Sequence, residues 1–204
     1  PGNTGSGRTD GAAAPPAAIA SPEILRPMVA GRHVFIAVTG GIAAYKTATV
    51  VSRLAQAGAN VTVAMTESAT RFITPLTFQA LSGRPVYTSQ WEHIESQDPQ
   101  HIALATRTDL AVVAPCTMDC LARLATGRTD DVVTLILSAI DRRKTPVLLA
   151  PSMNSVMWEQ PATQRNLRQL GDDGFEFIAP GQGWQACRHV GTGRMAEPET
   201  IAAA

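Results

Sequence analysis

Apolar residues cluster in five short runs that are bounded by glycine, proline or charged residues. The runs are rich in valine, isoleucine and leucine, as buried strands are. We predict strands at 33–39, 60–65, 109–114, 147–150 and 175–178. Apolar residues at helical spacing lie between them, and several of these segments end at a glycine. We predict helices at 44–57, 75–81, 118–125, 131–140 and 162–170.

Strands that alternate with helices of this length indicate a parallel sheet with helices on both faces. The predicted fold is therefore α/β, with a doubly wound parallel sheet in three layers, of the Rossmann-like or flavodoxin-like kind. A chain of 204 residues is long enough for one such domain.

Two features suggest where this domain begins and ends. Residues 1–30 are rich in Gly, Ala and Pro, so we predict a low-complexity N-terminal tail followed by a domain over residues 31–204. Glu197 to Ile201 resembles the start of a helix, yet the sequence stops at Ala204. We expect the natural polypeptide to extend further, which leaves open whether another domain follows.

Charge and cysteine content narrow the range of partners. The 17 basic and 17 acidic residues balance, so no broad field favours nucleic acid or an anionic membrane. No apolar run approaches the ~20 residues of a membrane-spanning helix. The three cysteines form neither a disulfide framework nor a metal-ligand pattern. We expect a cytoplasmic protein without a metal.

Candidate chemistry lies where the predicted strands end, because the carboxyl ends of parallel strands share one rim. Gly40 and Gly41 follow the first strand, and the start of a helix behind them attracts an anion. The hydroxyls of Thr66 and Ser68 follow the second strand. The pattern is neither a dinucleotide fingerprint nor a P-loop. A mononucleotide such as FMN fits it, with Phe72 packed on the flavin or simply in the core; an ordinary tight turn is the alternative.

Two later segments supply further polar groups. Pro151-Ser152-Met153-Asn154 follows the fourth strand, and its amide can hold a carboxylate without neutralising it. It is otherwise an ordinary strand-to-helix corner. Residues 181–198 are rich in glycine, contain a thiol and are long for a plain connection, so we predict a lid or binding segment rather than a solvated loop.

Together these motifs resemble the homo-oligomeric flavin-containing cysteine decarboxylases, and within them the members that act on phosphopantothenoylcysteine. The resemblance covers residues 31–200. It rests on Val38–Lys46, His101–Leu104, Ala114-Pro115 with the helix to Gly127 and Asp130-Asp131, Pro151–Asn154 with Met157-Trp158, Ala186-Cys187, and Gly191–Pro198.

The resemblance implies FMN-dependent decarboxylation of 4'-phosphopantothenoylcysteine to 4'-phosphopantetheine in coenzyme A biosynthesis. In that family FMN oxidises the thiol carbon to a thioaldehyde, carbon dioxide leaves, and the reduced flavin returns the electrons to the ene-thiol. The implied catalytic residues are His101 as base, Asn154 as carboxylate grip and Cys187 as proton donor. The implied cofactor-binding residues are Thr39, Gly40, Gly41, Ile42, Thr66, Ser68, Phe72, Thr74, Ala114, Pro115 and Thr117. The implied substrate-binding residues are Met153, Asn154, Ala186, Gly193, Arg194 and Met195.

The resemblance also implies a homotrimer, or a dodecamer of trimers, with the flavin between subunits. Many bacterial relatives carry a fused phosphopantothenate–cysteine ligase domain, and the sequence does not show whether one follows Ala204. Met118 and Asp119 stand where the family has Ala-Asn, and Arg188 stands where it favours glycine. A different thiol substrate therefore stays open. The rivals are a lantibiotic-type decarboxylase of peptide C-terminal cysteine, a non-catalytic FMN-binding regulatory subunit and, last, a flavin prenyltransferase.

Overall fold

A six-stranded parallel sheet organises the chain. The computed structural model describes residues 21–92, 94 and 99–204. The strands are β1 (His33–Val38), β2 (Asn60–Met65), β3 (Val86–Tyr87), β4 (Leu110–Cys116), β5 (Val147–Pro151) and β6 (Glu176–Phe177). Their order is β3-β2-β1-β4-β5-β6, and every pairing is parallel. The predicted doubly wound α/β fold is confirmed. Among the described strands of this sheet, only β3 was not predicted, because its two residues are too few to show periodicity.

Helices and a small hairpin surround the sheet. The helices are α1 (Pro22–Val29), α2 (Ala44–Gln56), α3 (Glu67–Thr70), α4 (Pro75–Ser82), α5 (Gln100–Arg107), α6 (Met118–Ala125), α7 (Val132–Ala139), α8 (Ser155–Glu159), α9 (Pro161–Asp172) and α10 (Pro198–Ala203). Strands β7 (Gly181–Trp184) and β8 (Val190–Arg194) form a separate antiparallel pair. The segment predicted as a lid or binding loop is therefore mostly a β-hairpin, whose many glycines hid the alternation by which strands are recognised.

The sheet has a hydrophobic core on each face because successive side chains of a strand point to opposite sides. In β1, Val34, Ile36 and Val38 join one cluster of buried residues, whereas Phe35 and Ala37 join the other. Strands that are buried on both faces need continuous apolar runs, and this is the pattern that the sequence showed.

The folded part begins before residue 31. Helix α1 lies inside the predicted tail, and Leu25 on it is 1% exposed and belongs to one core cluster. This corrects the predicted boundary. One buried leucine in a short helix with a proline at its start gives too weak a periodicity to stand out in a Gly-, Ala- and Pro-rich stretch. Residues 1–20 of the predicted tail lie outside the described residues.

Strands β1 and β4 are neighbours at the centre of the sheet, and the chain builds outward from them in opposite directions. Open α/β sheets bind ligands in the crevice at such a switch point, beyond the carboxyl ends of the strands. Within the described ranges, no helix is long and apolar enough to cross a membrane, and no group of three or more His, Cys, Asp or Glu could hold a metal ion.

Candidate active site

A cavity of about 1010 Å³ lies at this switch point and reaches the β7–β8 hairpin. Cavities that hold cofactors and small ligands have this order of size. Fourteen of the residues predicted from the sequence line it. These are Thr39, Gly40, Gly41, Ile42, Thr66, Ser68, Thr117, Met153, Asn154, Ala186, Cys187, Gly193, Arg194 and Met195.

The other predicted site residues lie away from the lining. His101 is half-buried near the start of α5, which packs against α7. Phe72 is 51% exposed, and Thr74 is the exposed N-cap residue of α4. Ala114 and Pro115 are buried under the crevice, and the peptide bond between them is cis. One copy of the chain therefore does not bring His101 or Phe72 to its own cavity.

Hydroxyl groups join the ends of β1 and β4 beneath the cavity. Thr39 is 1% exposed, and its hydroxyl donates to the carbonyl of Pro115 at 2.6 Å. The same oxygen accepts a hydrogen bond from the backbone N–H of Thr117 at 3.1 Å. Thr117 in turn caps α6 by accepting from the N–H of Cys120 at 3.3 Å. Thr39 and Thr117 therefore fix the shape of the crevice floor as well as lining it.

The Gly40-Gly41 corner allows backbones to approach closely. A Cβ on Gly40 would clash with the Cβ of Ser68, and a Cβ on Gly41 would meet the methyl of Thr117 at 3.5 Å. The corner leads into the N-terminus of α2, and this end of a helix carries a partial positive charge. The exposed Ser68 adds a hydroxyl, and Thr66 caps α3 through the N–H of Ala69. This end of the cavity is suited to an anion.

The Pro151–Asn154 loop presents an amide of fixed orientation. Asn154 caps α8: its Oδ1 accepts from the N–H of Val156 at 2.8 Å. The cap leaves Nδ2 pointing away from the helix, where it donates to the Sγ of Cys187 at 3.1 Å. The predicted carboxylate grip and the predicted proton donor are thus in contact.

A tight turn of the hairpin carries Cys187. The N–H of Arg188 donates to the carbonyl of Gln185 at 2.9 Å, and the N–H of Gln185 donates to the carbonyl of His189 at 2.8 Å. Arg188 has a φ of 66°, the left-handed conformation that such hairpin connections need after the turn. Cys187 lies between these bonds and is exposed.

The base of the hairpin packs closely on the Pro151–Asn154 loop. The N–H of Met153 donates to the carbonyl of Gly193 at 2.8 Å. Gly193 has a φ of 122°, and a Cβ there would lie 2.5 Å from the carbonyl oxygen of Met153. A Cβ on Gly191 would lie 2.7 Å from that of Ser155. These glycines are what bring the thiol to the strand ends.

Carboxylates pair every cation that lines the described cavity. Glu197 accepts from Lys46 at 3.0 Å and from Arg194 at 2.7 Å, and so links the start of α2 to the hairpin. Arg123 pairs with carboxylates that include Asp119, the departure noted in the sequence, at 2.8 Å. An anionic ligand in this cavity would therefore contact cations that are already paired with carboxylates, together with backbone N–H groups and hydroxyls of this chain.

Two other groups near the crevice have shifted pKa values. Burial raises the pKa of the Cys116 thiol well above its usual range, and its hydrogen bond with Cys120 acts in the same direction. Burial pushes the pKa of Asp130 upward, but the hydrogen bond from Arg128 and the charge of Arg123 outweigh it and hold the pKa below the usual value. Cys116 is therefore held as a neutral thiol and Asp130 as a carboxylate.

Sequence reasoning missed several residues of the lining. Gln185, which is 7% exposed, and Trp184 precede the thiol in the hairpin. Arg123 and Asp131 reach the cavity from α6 and the start of α7. A signal existed only for Asp131, which has the position and residue type of a helix cap and accepts from the N–H of Thr134 at 2.8 Å. The others are placed by contacts that the sequence does not show.

Comparisons with known proteins agree with this fold. The family model described as "Flavoprotein" matches residues 24–204. The chain is 47% identical over 174 residues to the coenzyme A biosynthesis bifunctional protein CoaBC of Bacillus subtilis, covering 85% of this chain and 42% of that protein. For the CoaBC of Escherichia coli K12 the identity is 44% over 173 residues, with 85% and 42% covered. The chain thus spans less than half the length of the curated relatives it matches.

Solved structures resemble the chain over most of their length. A cysteine-to-serine mutant of PPC decarboxylase, complexed with pantothenoylaminoethenethiol, has a TM-score of 0.74 and 31% identity, and 85% of this chain and 95% of that one are covered. The FMN-binding protein AtHal3 has a TM-score of 0.74 and 31% identity, with 84% and 93% covered. The FMN-dependent cysteine decarboxylase SpaF has a TM-score of 0.67 and 28% identity, with 79% and 90% covered. The resemblance drawn from the motifs is confirmed.

Proposed function

The chain belongs to the flavoprotein family, and from that premise we propose that it decarboxylates 4'-phosphopantothenoylcysteine to 4'-phosphopantetheine with FMN as cofactor. This is a step of coenzyme A biosynthesis. The observation that carries the proposal is the contact between Asn154 and Cys187 at the switch-point cavity. The CoaBC relatives and the PPC decarboxylase structure support the choice of substrate.

The cavity fits FMN. The Gly40-Gly41 corner, the start of α2 and the Ser68 hydroxyl would hold the phosphate. Side chains with large apolar parts, such as those of Ile42, Met118 and Met153, line the same cavity and would contact the flavin. When bound, FMN supplies a reversible two-electron acceptor, which oxidises the thiol-bearing carbon and returns the electrons after carbon dioxide has left.

Asn154 would hold the substrate carboxylate through Nδ2. The carboxylate loses its charge as carbon dioxide forms, so a cation at this point would stabilise the ground state more than the transition state. A neutral amide avoids that penalty. The cap on α8 fixes the orientation of the amide, so the donor faces the cavity before the substrate arrives.

Cys187 would supply the proton that completes the saturated product. Its sulfur lies beside Asn154 and would therefore lie beside the carbon that loses carbon dioxide. A well-placed proton donor contributes about 10²- to 10⁴-fold in rate. The overall reaction is redox-neutral: the substrate gives up two electrons, loses carbon dioxide and regains two electrons and a proton.

His101 would act as the base in the cavity of a neighbouring copy. It lies outside the cavity of its own chain, and imidazole exchanges protons near neutral pH. We therefore propose a homotrimer, alone or stacked into a dodecamer, in which Phe72 and Thr74 also reach the neighbour's flavin. Three free cysteines favour the reducing cytoplasm as its location.

Two alternatives each have a specific observation in their favour. SpaF, an FMN-dependent cysteine decarboxylase, resembles the chain at 28% identity, so decarboxylation of another cysteine, such as the C-terminal cysteine of a peptide, is the first alternative. Asp119 pairs with Arg123 in the cavity wall, where it departs from the family, and this leaves room for an FMN-binding protein without turnover. The first alternative predicts carbon dioxide release from a peptide, and the second predicts no carbon dioxide release from either substrate.

The test is to purify the protein with FMN and measure carbon dioxide release from carboxyl-labelled 4'-phosphopantothenoylcysteine and from a peptide with a C-terminal cysteine. We expect a yellow protein that is faster on the phosphorylated substrate. A yellow protein that consumes neither would support the binding-protein alternative. Preference for the peptide would support the lantibiotic-type alternative.

A further inference from the structure

Gln185 is the buried polar residue that connects the hairpin turn to the Pro151–Asn154 loop. It is 7% exposed, yet each atom of its amide has partners. Its Nε2 donates to the carbonyl of Thr192 at 3.1 Å and to that of Met153 at 3.4 Å. Its Oε1 accepts from the N–H of Ser155 at 3.1 Å. One side chain thus holds β8, the turn and the loop together.

These partners fix which way the amide points. Two carbonyls face Nε2 and one N–H group faces Oε1, so a flipped amide would set like groups against each other in a buried site. The oxygen is therefore the atom that faces the thiol of Cys187, and the thiol donates to it at 3.6 Å.

The thiol is consequently held between one amide that donates a hydrogen bond to it and one that accepts a hydrogen bond from it. Asn154 donates to its sulfur at 3.1 Å, and Gln185 accepts its hydrogen. Both amides are fixed by backbone groups, so the orientation of the thiol proton follows from the fold.

We infer that Gln185 is a positioning residue that holds the thiol of Cys187 beside Asn154, with its S–H in a fixed orientation, for the closing reduction. This inference rests on the proposed function. In that step the carbon–carbon double bond of the ene-thiol takes up a hydride, carrying the two electrons that the cofactor removed earlier, and a proton from Sγ. The sulfur then regains a proton from solvent.

The test compares Gln185→Leu and Gln185→Met with Gln182→Leu. Gln182 is the matched control: it lies on β7, the strand that Gln185 directly follows, is exposed and donates to the hydroxyl of Thr192 at 3.3 Å, but it is not part of the cavity lining. The methionine variant keeps the length of the side chain and guards against misfolding. Circular dichroism and the thermal midpoint establish that each variant folds.

The first readout is the rate at which iodoacetamide alkylates Cys187, measured by peptide mass spectrometry. Both Gln185 variants lose a hydrogen bond to the thiol and the contacts that restrain the turn. We therefore expect the alkylation rate to rise about fivefold in each. Gln182→Leu should match the wild type. This readout does not depend on turnover.

The second readout is the ratio of saturated product to carbon dioxide in a single turnover, where electrons that are not returned stay on the cofactor. We expect this ratio to fall about tenfold in the Gln185 variants, with ene-thiol making up the difference, and to stay unchanged in Gln182→Leu. Unchanged alkylation and product ratio in folded variants would overturn the inference. Unfolding of both variants would overturn it too, since the role would then be structural. A wild type that releases no carbon dioxide would refute the proposed function alone, because alkylation would still test Gln185.

Discussion

The Sγ of Cys187 lies 3.1 Å from the Nδ2 of Asn154, although 33 positions separate the two residues in the chain. Two elements create this contact. The cap on α8 turns the amide toward the cavity, and the hairpin turn carries the thiol to it. The group proposed to hold the carboxylate and the group proposed to give the proton therefore act at one point of the substrate.

Replacing Gly193 by alanine should separate the hairpin from the Pro151–Asn154 loop. The new Cβ would lie 2.5 Å from the carbonyl oxygen of Met153, at a φ of 122° that alanine rarely adopts. We expect Gly193→Ala to lower the free energy of unfolding by about 3 kcal/mol. It should also lower decarboxylation at least tenfold, because the thiol moves away from Asn154. Urea unfolding and carbon dioxide release are the measurements.

Gly83→Ala is the matched control for that prediction. Gly83 ends α4 at a φ of 67°, and a Cβ there would meet nothing within 4 Å. It should cost about 1 kcal/mol from backbone conformation alone and leave activity unchanged. Equal losses in the two variants would show that the contact between Gly193 and Met153 does not matter.

Arg188→Gly should stabilise the hairpin. Arg188 is exposed and has a φ of 66°, a conformation that glycine adopts without steric cost. The greater freedom of glycine in the unfolded chain offsets part of the gain, so we expect about 0.5 kcal/mol in urea unfolding. Asparagine also tolerates this conformation, so the free energy of unfolding of Arg188→Asn should lie between those of the wild type and Arg188→Gly. A loss of stability in both variants would mean that the guanidinium group contributes more than the backbone strain costs.

The three thiols should differ sharply in reactivity. Cys187 is exposed, whereas Cys116 and Cys120 are buried and burial raises the pKa of Cys116. The thiolate is the reactive form, so iodoacetamide should modify one cysteine per native chain and all three after unfolding in urea. In Cys187→Ser the native protein should stay unmodified. Rapid native labelling at Cys116 would contradict the position of β4 in the sheet.

Mixing two inactive variants should restore activity if the site spans two copies. His101→Asn removes the proposed base, and Asn154→Ala removes the carboxylate grip. In mixed oligomers some cavities would combine an intact His101 with an intact Asn154, so we expect activity well above that of either variant alone. The measurement is carbon dioxide release after co-expression and co-purification through two different tags. Oligomers that contain both chains but stay inactive would place His101 and Asn154 of one chain in one site.

The sequence predicted the sheet because its strands are buried on both faces, and such strands appear as apolar runs. The cavity-lining residues at the strand ends could be predicted next, since the carboxyl ends of parallel strands lie at one rim. The hairpin could not be predicted, because Gly183, Gly191 and Gly193 interrupt the alternation that marks a strand. Nothing in the sequence indicated that Gln185 connects the hairpin to the Pro151–Asn154 loop, since it does so through backbone groups.

His101 illustrates a different limit. Its residue type and motif suggested a catalytic base, but a motif does not say which copy of the chain a side chain serves. It lies near the start of α5, which packs on α7, and it is not among the residues that line the cavity of its own chain. In the proposed homotrimer, the neighbouring copy would supply the cavity that this imidazole serves.

The most direct test of the central claim is the mass of the product that the Cys187→Ser variant makes from 4'-phosphopantothenoylcysteine in the presence of FMN. Wild-type protein should release one carbon dioxide for each saturated thiol. In a single turnover the variant should still release carbon dioxide, but its product should be the ene-thiol, lighter by two hydrogens, because the closing proton is missing and the two electrons stay on the cofactor. Saturated product from the variant at the wild-type ratio would contradict the role of Cys187 as proton donor.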